Sequence, residues 1–315
     1  MSEFSENMRL MCAKADRERD EGLKTPEDVV RYDDISYGPD PEEVLDLYRP
    51  QAEEGKTLPV IISFHGGGWV YGDKGVYQYY GMFLAEQGFA VVNFTYRLSP
   101  EHKFPAPLID MNLVMKWVKN HADEYRLDAE HIFGVGDSAG GNGLALYAAL
   151  STNEAYAREY ARLAKNLSPE ALAEMNSNPD FASLDEGGFH PVPGISLLAV
   201  ALNCGAYRLT AQDQTMRDYL PHGPEDAEEL ALANVPEHVT EKFPPAFVMT
   251  CPKDFLIDQP KALLPKLREA GVDFVYRFYS DEKRSLGHVF HCNMKLPDAK
   301  RVNREECEFF RHYMN

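Results

Sequence analysis

The chain has 315 residues, of which 44% are apolar and 26% are charged, and its formal net charge is −18. This apolar content can fill a buried core and excludes an intrinsically disordered chain, while the length allows one large domain or two small ones. The excess negative charge disfavours nucleic acid and anionic membranes as partners, because phosphate groups are bound by clustered lysine and arginine side chains.

The N-terminus and the cysteines bear on the compartment. Residues 1–20 are rich in charged side chains and lack the apolar core of a signal peptide, and the longest apolar run, residues 195–202, is too short to span a bilayer. The five cysteines show no CxxC spacing, so they indicate neither a complete set of disulfides nor a metal site. We therefore expect a cytoplasmic protein without a membrane partner, and the sequence leaves a homo-oligomer open.

The first predicted elements lie before residue 50. Residues up to about 30 have helical character, and residues 25–27 resemble a helix start. Residues 32–37 and 44–48 then alternate like two strands on either side of a Gly-Pro-Asp-Pro turn. The pattern predicts an antiparallel pair at the edge of a sheet.

After residue 58, continuous apolar runs alternate with helix-like segments. This alternation is typical of a mostly parallel sheet with helices on both faces. The predicted strands are residues 59–64, 89–96, 132–135, 195–203, 246–251 and 274–279. The predicted helices are residues 77–87, 106–120, 139–150, 258–270 and 298–313. The sequence thus predicts one α/β domain over residues 1–315, with the carboxyl ends of the strands along one edge, where active sites gather.

Two segments interrupt the alternation. Residues 153–193 combine a helical part with a polar loop, and residues 208–243 are irregular and acidic. Because loops at the carboxyl edge of a sheet often carry function, we predict that both segments are cap or lid material, and we place the cap elements at residues 1–35 and 151–193. A surface insertion without a role at the site is the alternative.

The strongest functional signal is the sequence GDSAG at residues 136–140, which lies between a predicted strand and a predicted helix. A serine hydroxyl is a weak nucleophile, and enzymes present it on a sharp turn beside a base. The glycines on either side relieve crowding at such a turn. We therefore predict that Ser138 is a nucleophile.

A second signal, HGGGW at residues 65–69, directly follows a predicted strand. Acyl transfer builds negative charge on a carbonyl oxygen, and each backbone N–H group aimed at it contributes on the order of 3 kcal/mol of stabilisation. Glycine lets the backbone approach the substrate closely. We predict an oxyanion hole formed by the N–H groups of Gly66, Gly67 and Ala139.

With LDLYRP at residues 45–50 and YRLSPEHKFPAP at residues 96–107, these motifs resemble the hormone-sensitive-lipase-like branch of the α/β-hydrolase esterases. The resemblance implies an α/β-hydrolase fold with a mostly parallel central sheet, helices on both faces and a helical cap. It also implies that His65 orients the oxyanion loop. Trp69 and Asn142 are predicted to line or support the pocket, although packing alone would explain them equally well.

A nucleophilic serine needs a base and an acid that orients the base, and in this fold the acid precedes the histidine. Asp254 follows a predicted core strand and resembles the family's acid. Its competitor, Asp258, precedes Gln-Pro and a predicted helix, where N-capping would explain it. We predict Asp254 as the acid.

In this chain order the base follows Asp254, and the histidines there are His288, His291 and His312. His288 comes after Leu-Gly and resembles the family's His-x-Phe loop, whereas His312 falls in the last predicted helix. His291 is the competitor and is otherwise explained as a loop anchor or part of the pocket wall. We predict that Ser138, Asp254 and His288 are the catalytic residues.

These observations predict a serine carboxylesterase that hydrolyses small-molecule esters with short acyl groups, acetyl above all, through an acyl-enzyme. A peptidase or amidase on the same fold is one alternative, and a catalytically silent binding protein is another. The sequence contains no HExxH, P-loop or GxGxxG motif, so neither a metal nor a cofactor is predicted.

Overall fold

The computed structural model describes residues 1–176, 183–280 and 286–314, and it contains an eight-stranded sheet. The strands in chain order are β1 (Val29–Ser36), β2 (Val44–Pro50), β3 (Leu58–Phe64), β4 (Ala90–Phe94), β5 (Leu127–Asp137), β6 (Leu184–Asp185), β7 (Gly188–Phe189), β8 (Leu197–Asn203), β9 (Ala246–Thr250) and β10 (Phe274–Phe278). The order across the sheet is β1-β2-β4-β3-β5-β8-β9-β10, and β6 pairs with β7 in a separate hairpin. All neighbours from β4 to β10 are parallel, whereas β2 pairs antiparallel with both β1 and β4.

Helices cover both faces of this sheet. In chain order they are α1 (Glu3–Asp20), α2 (Lys74–Glu86), α3 (Ala106–Asn120), α4 (Ala122–Tyr125), α5 (Ser138–Thr152), α6 (Glu154–Asn166), α7 (Pro169–Met175), α8 (Met216–Tyr219), α9 (Ala227–Leu232), α10 (Pro260–Glu269) and α11 (Pro297–Arg311). Apolar side chains of α3, α5 and α10 join one buried cluster, and those of α2 and α11 join another. Within the described part of the chain, no helix is long and apolar enough to cross a membrane.

The predicted α/β pattern is confirmed, with boundaries that differ by a few residues. Strand β5 begins five residues earlier than its apolar run because Leu127 pairs with Leu58 of β3 across a bulge. The predicted helix start at residues 25–27 is wrong, since α1 ends at Asp20 and Gly22 has a positive φ of 81°. Residues 29–35 of the predicted cap belong to β1 at the sheet edge.

Helix α1 lies across loops at the carboxyl edge of the sheet. The Arg9 guanidinium donates from Nε to the carbonyl oxygen of Val70 at 2.6 Å and from Nη2 to that of Ser99 at 2.9 Å. The Ser2 hydroxyl donates to Asp218 Oδ2 at 2.7 Å. These polar contacts hold both the middle and the start of the helix against the body of the protein.

The insertion after α5 packs elsewhere. Tyr156 and Tyr160 of α6 are buried, and the Tyr156 hydroxyl donates to the carbonyl oxygen of Leu232 at the end of α9. The Asn112 amide of α3 donates to the carbonyl oxygen of His190, just after β7, at 2.8 Å. Residues 177–182 of this predicted cap lie outside the described residues. The rest of the insertion therefore rests on α3, α5 and α9.

A buried ion group holds the loop after β4. Arg97 Nη2 lies 2.5 Å from Asp110 Oδ1, and Arg97 Nε lies 3.3 Å from Glu43 Oε1, with all three side chains at most 1% exposed. The backbone N–H of Arg97 also donates to Asp110 Oδ2 at 2.7 Å. Removing one partner from such a group leaves a buried charge without compensation, which costs about 3–5 kcal/mol.

We expect Asp110→Asn to lower the free energy of unfolding by about 3 kcal/mol, because the Arg97 charge would lose its main partner. Urea unfolding followed by circular dichroism measures this change. The control is Glu269→Gln, which breaks an exposed ion pair with Lys266 and should cost less than about 1 kcal/mol. Equal losses in the two variants would contradict the role given to the buried group.

Candidate active site

Ser138 lies at the junction where β5 ends and α5 begins, and its φ is +52°. This left-handed conformation is costly for a residue with a Cβ atom, and it occurs where a turn must present a side chain. A Cβ atom on Gly140 would lie 2.0 Å from the carbonyl oxygen of Phe64, and one on Gly136 would lie 2.6 Å from that of Gly140. Both positions therefore require glycine, as the motif predicts.

The histidine that contacts Asp254 is His288, whose Nδ1 donates to Asp254 Oδ1 at 2.7 Å. Asp254 Oδ2 accepts from the Thr250 hydroxyl at 2.6 Å, and Oδ1 accepts from the Leu256 N–H at 2.8 Å. Burial opposes the ionisation of Asp254, but the hydrogen bonds from His288 and Thr250 outweigh it and lower the pKa of the carboxyl. The ionised carboxylate thus fixes the orientation of the imidazole through Nδ1, and Nε2 lies on the side of the ring opposite Asp254.

Two loops bring Asp254 and His288 together, although the two residues are 34 positions apart in the sequence. Asp254 follows β9 and His288 follows β10, and the loops form a parallel bridge between Lys253 and Gly287. The Lys253 N–H donates to the carbonyl oxygen of Leu286 at 3.1 Å. Adjacent parallel strands therefore deliver both side chains to the same edge, close to the turn that carries Ser138.

Two cavities meet at Ser138. The first, of about 450 Å³, is lined by Ser138 and His288, and the second, of about 310 Å³, by Ser138 and Ala139. Helix α1 supplies the outer wall of both, and Met8 lines each of them. Other cavity residues on α1 are Phe4, Cys12, Ala15, Asp16 and Arg19. None of the described residues between 151 and 193 lines either cavity, whereas α1 lines both and residues 209 and 212–215 line the second. Within the described part of the chain, these two segments therefore occupy the place predicted for a cap.

The glycine loop differs from its prediction at one position. The Gly66 N–H donates to the Tyr77 hydroxyl at 3.0 Å, and that hydroxyl donates to Asp137 Oδ2 at 2.8 Å. The Gly66 N–H is therefore engaged inside the protein, which corrects its prediction as an oxyanion donor. Gly67 and Gly68 have φ values of +113° and +60°.

The sequence prediction did not include Gly68 among the site residues, although Gly68 belongs to the same run of glycines. It lines the second cavity with Ser138 and Ala139, whereas Gly67 lines the first. A Cβ atom on Gly67 would lie 1.9 Å from the carbonyl oxygen of Tyr71. The loop thus turns so tightly that Gly67 has no room for a side chain, and its glycines line the cavities that Ser138 also lines.

His65 supports this loop from behind. It is fully buried, its Nδ1 donates to the carbonyl oxygen of Gly66 at 2.7 Å, and its ring stacks on Tyr96 with centroids 4.1 Å apart. Burial lowers the pKa of His65 to about 4. The ring is therefore neutral at physiological pH, which suits a supporting role.

Trp69 and Asn142 fall in different places. Trp69 lines the second cavity and stacks on Tyr219 of α8 with ring centroids 4.4 Å apart. Asn142 is buried in α5 and donates to the carbonyl oxygen of Ala233 at 3.0 Å, away from both cavities. Trp69 is thus a wall residue, and Asn142 braces α5 against the segment after α9.

The competing residues are not hydrogen-bonded to the His288–Asp254 pair in the described structure. Asp258 forms an exposed ion pair with Lys261, and His312 is exposed. His291 is fully buried, and its Nε2 lies 3.4 Å from the sulfur of Cys292. Burial lowers the pKa of His291 to about 3, so this ring is neutral and packed under the site.

Potential metal ligands also occur at the site. Among the described residues, the ligand atoms of Asp137, His291 and Cys292 lie within 4.8 Å of one another, and so do those of Cys204, Asp254 and His288. Hydrogen bonds already join Asp254 to His288 and Asp137 to Tyr77. We therefore assign neither group to a metal.

The sequence model of the BD-FAE family matches residues 45–266. Esterase LipC of Mycobacterium tuberculosis is 33% identical over 121 residues, a match that covers 38% of this chain and only 30% of LipC. The versiconal hemiacetal acetate esterase of Dothistroma septosporum is 27% identical over 262 residues, covering 81% of this chain and 73% of that enzyme.

Among solved structures, an inhibited esterase B from Lactobacillus rhamnosis resembles the protein with a TM-score of 0.76. The two chains are 23% identical, and the match covers 98% of this chain and 95% of the other. This likeness concerns the fold, and it confirms the α/β-hydrolase architecture expected from the motifs. The family match ends at residue 266, before His288.

Asp137 generates a prediction about stability, because burial raises the pKa of its carboxyl from 3.8 to about 7. A carboxyl whose pKa rises on folding stabilises the protein fully below its unfolded pKa, and this contribution is lost as the pH rises through the folded pKa. We expect the difference in free energy of unfolding, Asp137→Asn minus wild type, to rise by up to about 4 kcal/mol as the pH increases from about 4 to about 8.

Urea unfolding of both proteins over this pH range measures the difference. The control is Asp123→Asn, which removes an exposed carboxylate and so reports the background trend. A difference between Asp137→Asn and wild type that stays constant with pH would show that Asp137 titrates normally in the folded protein.

Proposed function

Because the chain belongs to the BD-FAE family and has the α/β-hydrolase fold, we propose that it is a serine carboxylesterase acting through an acyl-enzyme on Ser138. One observation carries the proposal. The hydrogen-bonded pair of His288 and Asp254 and the strained turn of Ser138 converge on one edge of the sheet, where His288 and Ser138 line the same cavity. A nucleophile, a base and an orienting acid are the parts that ester hydrolysis through an acyl-enzyme requires.

In the proposed reaction, Ser138 Oγ attacks the ester carbonyl carbon while His288 Nε2 accepts the hydroxyl proton. Asp254 stabilises the resulting imidazolium through the hydrogen bond to Nδ1. The tetrahedral intermediate collapses, and the alcohol leaves with the proton that His288 returns. Water then attacks the acyl-enzyme with His288 again as base, which releases the acid and restores Ser138.

The oxyanion of both tetrahedral intermediates needs backbone donors. We assign this role to the N–H groups of Gly67 and Gly68 in the loop after β3 and to that of Ala139 at the start of α5. The support is the arrangement of these residues around the two cavities at Ser138 and the engagement of the Gly66 N–H by Tyr77. Donors fixed in this way need no reorganisation as charge develops on the oxygen.

A short acyl group, acetyl above all, is the proposed preference. The name of the versiconal hemiacetal acetate esterase supports it, and so do the modest volumes of the two cavities, about 450 and 310 Å³. Met8 lines both cavities, and we propose that its side chain limits the length of substrate that they accept. The proposed substrate is therefore a small ester rather than an emulsified lipid.

Replacing the nucleophile tests the proposed function directly. We expect Ser138→Ala to abolish hydrolysis of p-nitrophenyl acetate and covalent labelling by a fluorophosphonate probe, because both reactions need Oγ. The control is Ser151→Ala, which removes a hydroxyl from the other end of the same helix. Labelling that persists in Ser138→Ala would place the nucleophile elsewhere.

Acyl-chain selectivity tests the substrate. We expect kcat/KM for p-nitrophenyl acetate and butyrate to exceed the value for esters beyond about eight carbons, because pockets of a few hundred Å³ hold only short chains. Shortening the Met8 side chain in Met8→Ala should raise kcat/KM for p-nitrophenyl octanoate relative to that for the acetate. Met11→Ala is the matched control, since Met11 lies on the same helix and is 71% exposed. A wild-type preference for long-chain emulsions would overturn this selectivity.

A further inference from the structure

Tyr77 of α2 bonds to the residues that directly precede the two segments of the proposed oxyanion hole, although the reaction steps above do not use it. Its hydroxyl accepts from the Gly66 N–H at 3.0 Å and donates to Asp137 Oδ2 at 2.8 Å. Gly66 leads into the backbone of Gly67 and Gly68, and Asp137 leads into Ser138. One hydroxyl therefore joins the glycine loop to the turn that carries the nucleophile.

The packing around this hydroxyl leaves little freedom. Tyr77 is 6% exposed and Asp137 is 2% exposed. A Cβ atom on Gly66 would lie 2.5 Å from Asp137 Oδ2 and 3.0 Å from the Tyr77 hydroxyl, so only glycine lets the three groups meet. Without the hydroxyl, the Gly66 N–H and the Asp137 carboxyl would both lose a buried partner. Beyond the last paired residues of β3 and β5, Phe64 and Gly136, the two segments would lose this side-chain link.

We propose that Tyr77 is a positioning residue that sets the distance between the Gly67 and Gly68 donors on one side and Ser138 and Ala139 on the other. The inference rests on the proposed function, because it concerns the oxyanion hole of that reaction. Oxyanion donors work only near 2.7–3.1 Å from the developing charge, and a displacement of about 1 Å can cost on the order of 100-fold in rate.

The test is Tyr77→Phe, which keeps the ring and removes the link. We expect kcat for p-nitrophenyl acetate, per serine titrated with a fluorophosphonate, to fall by about 10- to 100-fold while KM changes by less than about twofold. Donors that matter mainly in the transition state affect kcat rather than substrate binding, which a general loss of stability would not reproduce.

The matched control is Tyr80→Phe. Tyr80 lies one turn further along α2, is 2% exposed, and also donates to a buried carboxylate, Glu306 Oε2, at 2.9 Å. It lines neither cavity at Ser138. Its loss should reduce stability much as Tyr77→Phe does, yet leave kcat within about twofold of wild type.

Two variants of the partner residue keep the inference testable if Tyr77→Phe folds poorly. Asp137→Asn retains an oxygen that can accept from the Tyr77 hydroxyl, and it should keep at least about fivefold more kcat than Asp137→Ala. Adding Tyr77→Phe to Asp137→Ala should lower kcat little further, because both changes break the same link.

The outcomes separate the two proposals. If the wild type hydrolyses the ester and Tyr77→Phe keeps its kcat, or if Tyr80→Phe loses as much, the positioning role is overturned and the proposed function stands. Absence of ester turnover by the folded wild type would overturn the proposed function and the role of Tyr77 with it.

Discussion

The left-handed turn at Ser138 is the constraint on which the site depends. The turn ends a buried central strand, and the following helix starts so close to β3 that Gly140 has room for no side chain beside Phe64. Such a turn is stable only if the surrounding structure holds it, which is what the flanking strands β3 and β8 and the packed face of α5 provide. The cost of the conformation is local, and the stabilisation that offsets it is spread across the sheet.

Two separate groups of buried polar side chains fix the loops around that turn. Arg97, Asp110 and Glu43 compensate one another and fix the loop after β4, whereas Tyr77 and Asp137 join the glycine loop to the nucleophile turn. In the first group, the Arg97 guanidinium forms ion pairs with both carboxylates. Among the described residues, the Asp137 carboxyl accepts from the Tyr77 hydroxyl and forms no ion pair, so burial dominates and raises its pKa to about 7.

The outer wall of the site comes from the N-terminal helix. Residues as far apart in sequence as Phe4 and Arg19 line the cavities, and Arg9 attaches the helix to two carbonyl oxygens of the loops beneath it. The longer insertion after α5 packs through tyrosines against α9 instead. Substrate selectivity in this protein is therefore proposed to depend on α1, whose side chains line both cavities at Ser138.

Local sequence determined much of this molecule. Apolar runs are long wherever a strand is buried on both faces, so the order of strands and helices was readable, and GDSAG and HGGGW mark backbone shapes that need glycine. The pairing of Asp254 with His288 was also inferred, but only through chain order and resemblance. Tertiary structure alone decided which glycine N–H groups remain available, because the hydroxyl that engages Gly66 comes from another helix. It likewise decided that α1, rather than the described part of the later insertion, lines the cavities, since contacts between segments distant in sequence leave no periodic pattern in either segment.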